Sequence, residues 1–393
     1  MSPDPVVILS ARRTPVGAFQ GVFATVTAPQ LGSVAINAAL ADSGLAVTDI
    51  DEVIMGCVLS AGLGQAPARQ ASLGAGIPPG TPATTINKMC GSAMRAVMLA
   101  SDQILAGSAE VVVAGGLESM TNAPYLLPKA RAGYRMGHQE VLDHMFFDGL
   151  QSPWDGQLMG CFAEATAGKY EFTRRAQDDF ATESVRRAKA ASDSGGFSAE
   201  IAPVTAKTRK GETRIDTDET PGALDVSKIP ALKPAFKKDG TVTAASSASI
   251  SDGAAAVVLA RESYATAKGL KPLARIVGHT SFAREPEWFT VAPVGAIQKL
   301  LARLNWQTSD VDLYEVNEAF AVVAMVAIKD LGLDYAKVNV NGGACALGHP
   351  IGATGARILT TLIYALRSRG KKRGIASLCI GGGEATAIAV ELY

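Results

Sequence analysis

The chain has 393 residues, room for two or three packed units with substantial cores, and its 37 basic and 37 acidic side chains cancel. That balance gives no electrostatic reason to expect nucleic acid or an anionic membrane as the main partner. The 40 glycines and 6% aromatics fit an α/β protein with close helices and tight turns. The 5 cysteines, scattered and without C-x-x-C pairs, argue against a disulfide framework and a structural zinc site, so a reducing, cytoplasmic setting is expected.

In chain order, an apolar run at 6–10, just before Arg12 and Arg13, reads as a first strand and not as a signal peptide. A strand follows in VTDIDEVIMG, residues 47–56. In TTINKMCGSAMRAVMLA, residues 84–100, a β-rich lead-in delivers Cys90 to a helix whose first turn is expected near that cysteine. Ala93, Val97 and Ala100 share one face, with Met94, Met98 and Ser101 beside it. A thiol there would meet unpaired N–H groups and the positive end of the helix dipole, which together favour the thiolate. A buried cysteine that fills space is the alternative.

AEVVVAGG, ending at Gly116, is a strand emptying into glycines. From about 121 to 249 the texture turns charged and loop-like, with one persuasive helix pair at 163–191, and the segment reads as an inserted cap. ISDGAAAVVLA, residues 250–260, returns to the apolar strand pattern, so the insertion is expected to interrupt the first unit. TSDVDLYEVN at 308–317 echoes 47–56, and the helix-then-strand stretch ending in GIASLCIGGG echoes the one ending at Gly116. This predicts a duplicated α/β unit whose glycine-rich strand ends can meet at one site. The most apolar helix, at 319–328, falls far short of the ~20 residues that span a bilayer.

A cysteine nucleophile needs a base, and there are only 4 histidines. His138 and His144 lie in the charged insertion and His279 follows an apparent strand, so these read as surface or packing residues. His349 sits in the glycine-rich NGGACALGHPIGATGAR, a loop that can hold a side chain in an unusual direction or can be merely a demanding turn. Cys379, at a strand end before Gly381, Gly382 and Gly383, could present a thiol beside backbone N–H donors, or could be core. Asn317, in VNEAFA, reads by itself as a helix N-cap. There is no P-loop motif, and Pro67 stands where a dinucleotide fingerprint after Gly62 and Gly64 wants glycine.

Together RTPVGAF, NKMCGSAMRAV, GGLESMTNAPY, VNEAFA, NGGACALGHPIGATGAR and CIGGG, in that order across essentially the whole chain, resemble the thiolases, the CoA-dependent acetyltransferases that make or cleave 3-ketoacyl-CoA. The resemblance implies duplicated βαβαβαββ units in a five-layered α-β-α-β-α core. Its first half would be 1–120 with 250–270, its second 271–393, and 121–249 an inserted loop domain for CoA binding and oligomerisation. It implies Cys90 as the acylated nucleophile, His349 as its base, and Cys379 as the acid and base at the α-carbon of acetyl-CoA. Asn317 would position a water that forms one oxyanion hole with His349, and the N–H groups of Cys90 and Gly381 would form the other. Phe236, Ser247, Ala248, Leu158, Met159, Phe320 and Phe289 would contact CoA or the acyl group. CoA is then substrate and product; no cofactor and no metal is expected. The expected partners are acetyl-CoA, CoA and 3-ketoacyl-CoA in a homodimer or homotetramer, with 125–144 resembling a loop that joins dimers.

The chain departs from relatives at several places. It reads Ala244-Ala245-Ser246-Ser247-Ala248 where many carry A-G-N-[AS]-S, Gly222 where an arginine often clamps the nucleotide, and Leu158 where a histidine often precedes Met-Gly. EWFTVAP replaces a commoner M-G-x-G-P, so Trp288 and Phe289 would reshape the acyl pocket. A decarboxylating condensing enzyme of the ketoacyl synthase type is the rival enzyme reading, with Cys379 as the discriminating residue. A non-catalytic acyl-CoA-binding protein is the other rival, which presence of all three reactive side chains opposes.

Overall fold

A computed structural model describes residues 4–208 and 211–393. Five strands form the first half: β1 (Val6–Arg13), β2 (Glu52–Gly56), β3 (Ala83–Ile86), β4 (Val111–Ser119) and β5 (Ser251–Arg261). They lie in the order β3-β2-β4-β5-β1, parallel among β3, β2 and β4 and antiparallel from β4 to β1. The second half has β6 (Ala274–Ala283), β7 (Leu313–Val316), β8 (Arg373–Ile380) and β9 (Glu384–Leu392) in the order β7-β8-β9-β6. β7 and β8 are parallel, β8, β9 and β6 antiparallel, and a parallel bridge between Tyr314 and Val338 stands where β3 stands in the first half. The two halves thus repeat one strand order and one pattern of directions. They join through Val7 and Ile8 opposite Arg275 and Ala274.

Helices cover both faces, which explains why β4 is buried at every position and reads VVVAGG without alternation. Between the halves lies α3 (Ser92–Ala106), while α1 (Ala28–Ser43) and α2 (Pro67–Gly74) cover the outer face of the first half. α3 packs against α8 (Thr354–Ser368). Met94, Val97, Leu359 and Leu362 are fully buried there, and each such leucine is worth about 2–5 kcal/mol on truncation to alanine. The contact is tight: a Cβ on Gly355 would come within 2.3 Å of the Met94 nitrogen. On the far face of the second half lie α6 (Ala292–Leu304) and α7 (Ala321–Leu331), giving the five layers expected. No described helix is long and apolar enough to cross a membrane.

After Ser119 the chain leaves the sheet, and it re-enters at Ser251 on the neighbouring strand, where Asp252 pairs with Ser119. The intervening stretch contains the expected helix pair, α4 (Met159–Lys169) and α5 (Arg174–Asp193). Phe162 and Phe180 of these helices join the apolar cluster of Phe289, Phe320 and Val316, so the stretch covers the second half's outer side and one wall of the site.

Candidate active site

Cys90 lies in a fixed elbow between β3 and α3. Ser92 Oγ accepts from the Lys88 N–H at 2.8 Å and donates to the Met89 carbonyl at 2.6 Å, while Asn87 Oδ1 accepts from the Met89 N–H at 2.9 Å. These bonds hold Met89 at φ 48°, a left-handed conformation that costs a non-glycine residue about 1–3 kcal/mol. The helix begins at Ser92 with Gly91 as its cap, two residues later than the periodicity predicts. Gly91 is required by the neighbouring half: a Cβ there would stand 2.3 Å from Ile380 Cδ1.

The thiolate expected at a helix start is not what this setting favours. Burial pushes the Cys90 thiol up to about 11; the N–H groups of Gly381 and of Cys90 itself pull it down, and the Glu118 carboxylate adds a smaller upward push. In a low-dielectric site desolvation outweighs two N–H dipoles, so the resting residue is a thiol. What the N–H groups offer is a pair of donors converging on the sulfur.

His349 is buried in the loop before α8, where burial first and the Arg357 charge second lower it to about 3, so it is neutral. Its tautomer follows from its neighbours. The Thr354 hydroxyl donates to the Pro350 carbonyl at 2.9 Å, so its oxygen accepts Nδ1–H of His349 at 2.7 Å. Nε2 is thereby left as the basic nitrogen, and it has no partner among the described residues.

Cys90, His349 and Gly381 line one cavity of about 210 Å³. Its walls also carry Phe236, Phe289, Phe320, Leu158 and Met159, an apolar lining, with Ser247 and Ala248 along one edge. All seven residues singled out for CoA or acyl contact therefore face the same space. Phe236 meets Phe320 edge-on at 5.8 Å, and Gly160 must be glycine because a Cβ would enter the Phe236 ring at 2.3 Å. Ser247 Oγ donates to the Thr243 carbonyl at 2.7 Å, so its hydroxyl is engaged within its own loop.

Cys379 and Asn317 lie behind this wall. Cys379 is fully buried on β8, its thiol held well above the ordinary range by burial first and by the Cys90 sulfur second. Asn317 follows β7 and is not a helix cap: α7 starts four residues later, with Phe320 at the cap. Its backbone N–H donates to the Ser377 carbonyl at 3.0 Å, while both ends of its buried side-chain amide lack a partner among the described residues.

Of the two roles expected for His144, surface or packing, the structure shows packing: it is buried, Nδ1 meets Asp148 at 2.6 Å and Nε2 accepts from the Ala61 N–H at 3.4 Å. His279 lies within β6, 3.1 Å from Asp102. Thr354 and Glu118 escaped the sequence reading as site residues, although both stand inside the quoted motifs; nothing in the linear pattern says that Thr354 fixes an imidazole five residues back. No group of three or more metal-ligating side chains occurs among the described residues.

A thiolase N-terminal domain model matches residues 6–263, and a thiolase C-terminal domain model matches 270–392. The chain belongs to the thiolase family. It is 50% identical over 389 residues to the acetyl-CoA acetyltransferase of Cupriavidus necator, covering 98% of this chain and 99% of that one. It is 49% identical over 395 residues to acetyl-CoA acetyltransferase 2 of Arabidopsis thaliana, covering 100% and 98%. Among solved structures, the Bacillus anthracis acetyl-CoA acetyltransferase superposes with a TM-score of 0.97 at 42% identity over 99% of each chain. The Ascaris suum Acat5 thiolase in complex with coenzyme A gives 0.94 at 42% identity, over 99% of this thiolase and 100% of the other.

Proposed function

We propose that this thiolase, an acyltransferase, is an acetyl-CoA acetyltransferase that catalyses the reversible condensation of acetyl-CoA with an acyl-CoA and the thiolytic cleavage of 3-ketoacyl-CoA. The observation that carries the reading is that Cys90 and His349 line one cavity, with His349 neutral and its Nε2 without a partner among the described residues. Neither group does chemistry alone: the thiol is too basic to ionise at neutral pH, and the imidazole is the base that takes its proton as sulfur attacks.

In cleavage, Cys90 sulfur bonds to the 3-keto carbon and its proton passes to His349. The oxyanion is held by the N–H groups of Cys90 and Gly381, each such donor being worth about 3 kcal/mol in the transition state. The carbon–carbon bond then breaks. Its electrons form the enolate of acetyl-CoA, held by protonated His349 and an Asn317-bound water, and the Cys379 thiol gives the α-carbon its proton. The unpartnered Asn317 amide supports that use of a water, since a buried amide without partners costs free energy that a bound water recovers. The CoA thiol gives its proton to the Cys379 thiolate and attacks the acyl-Cys90, whose sulfur leaves with the proton held by His349 as the shortened acyl-CoA is released. Condensation runs the same steps backwards, with Cys379 thiolate as the base. CoA is substrate and product, and the scheme uses no metal and no redox cofactor.

Phe236, Phe320, Phe289, Leu158, Met159, Ser247 and Ala248 hold the pantetheine and acyl part, and Gly222 leaves the nucleotide without an arginine clamp. Residues 1–120 with 250–270 and residues 271–393 form the two core halves, 121–249 the cap. The protein works in the cytoplasm as a homotetramer: in the segment 125–144, Tyr125, Leu127, Tyr134, Met136 and Val141 are exposed apolar side chains, suited to a second dimer. The test is consumption of acetoacetyl-CoA in the presence of CoA. Turnover by the wild type that Cys90→Ala abolishes is expected; turnover that survives Cys90→Ala would contradict the scheme.

A further inference from the structure

Glu118 is fully buried at the end of β4, beside the site and outside the reaction scheme. Its carboxylate gathers donors from two separate segments. Oε2 accepts from the Val58 N–H at 3.0 Å and from the Gly352 N–H at 2.9 Å; Oε1 accepts from the Leu59 N–H at 3.1 Å and the Cys57 thiol at 3.8 Å. Val58 and Leu59 belong to the first half, which also carries Cys90. Gly352 belongs to the second, three residues after His349.

The approach of the His349 loop to this carboxylate is as close as a backbone permits. A Cβ on Gly352 would lie 2.5 Å from Glu118 Oε2 and 3.1 Å from Cys57 Cα, and a Cβ on Gly116 would lie 2.1 Å from the Gly352 carbonyl oxygen. Ile351, next in the chain, lines the cavity and packs with Val58, Leu59 and Met120, the cluster against which Met89 and Cys90 rest. One side chain therefore ties the loop of the base to the half that carries the nucleophile.

We propose that Glu118 is a positioning residue for the reaction: by holding Gly352 against the segment 57–59 it sets the place of His349 relative to Cys90. This rests on the reading of His349 as base and Cys90 as nucleophile. A neutral amide at 118 cannot replace the carboxylate, because its NH₂ group would face N–H donors on one of the two oxygens' sides whichever way it turned. Burial raises Glu118 to about 7 against the pull of the three N–H groups, so the carboxylate form dominates above neutrality.

The experiment compares Glu118→Gln, Gly352→Ala and the double variant with wild type at pH 8, reading kcat and KM for acetoacetyl-CoA thiolysis and the rate of Cys90 acetylation by acetyl-CoA. Each single variant should lose kcat on the order of 10²-fold, the effect of an ångström-scale misplacement, with acetylation slowed alike and KM little changed. The double variant should lose no more than the worse single one, since both break one tie. Unchanged kcat, a loss confined to KM, or losses that multiply would each overturn the proposal. Should Glu118→Gln not fold, Gly352→Ala decides alone, because it leaves the bonds to Val58 and Leu59 in place; full kcat in that variant overturns it. A wild type without thiolysis would instead sink the reading of His349 and Cys90.

Discussion

The two halves repeat one scaffold and use it differently. Gly56 of β2 pairs with Gly116 of β4, and Val316 of β7 pairs with Ser377 of β8. One residue past each first strand stand Cys57 and Asn317; two residues past each second partner stand Glu118 and Cys379. The elbows before the central helices α3 and α8 carry Cys90 and His349. Three corresponding places thus give Cys57, Cys90 and Glu118 in one half and Asn317, His349 and Cys379 in the other. In the second half two of these residues have unpartnered polar atoms. In the first, the Cys57 thiol donates to Glu118, whose carboxylate also accepts from three backbone N–H groups. The duplicated geometry sets six side chains at three corresponding places, and the difference in residue type leaves polar atoms open in one half and bonded in the other.

With Nε2 removed, His349→Ala should lower kcat for thiolysis by on the order of 10³- to 10⁴-fold, because a half-buried thiol raised to about 11 then has no acceptor for its proton; retention of a tenth of the wild-type rate would show that another base serves Cys90. Cys379→Ala should cost turnover by about 10²- to 10³-fold while acetyl-CoA still acetylates Cys90, since the acid acts on the α-carbon only. Loss of acetylation in that variant would mean that the two thiols have exchanged roles.

The smallest effect sharpens the electrostatics. Burial raises the Cys90 thiol to about 11, so the reactive thiolate is the minor form below that pH and its share grows about tenfold per pH unit. Alkylation of Cys90 by iodoacetamide in the free protein should therefore climb steadily from pH 7 to pH 10, ahead of the buried Cys57, Cys345 and Cys379. A rate that is flat above pH 7 would mean that the helix start does hold a thiolate, as the linear pattern suggests.

Much of this architecture is legible in the linear chain. The repeated strand-to-glycine endings announce the duplication, and the motifs around Cys90 and His349 mark residues that line one cavity. What escaped was decided by contacts across hundreds of residues. Glu118 gains its role from Gly352, Thr354 from a hydroxyl proton committed to Pro350, and the Cys90 thiol from a burial that no helix pattern reveals. Asn317 misleads for a related reason: an Asn before a helix usually caps it, and here the helix starts too late for that.

The central claim, that Cys90 is the acylated nucleophile served by a neutral His349, is tested most directly by intact mass and peptide mapping after brief mixing with acetyl-CoA. One acetyl group on Cys90 in the wild type and none in His349→Ala is the predicted result. Acetylation elsewhere, or equal acetylation of Cys90 in both proteins, would contradict it.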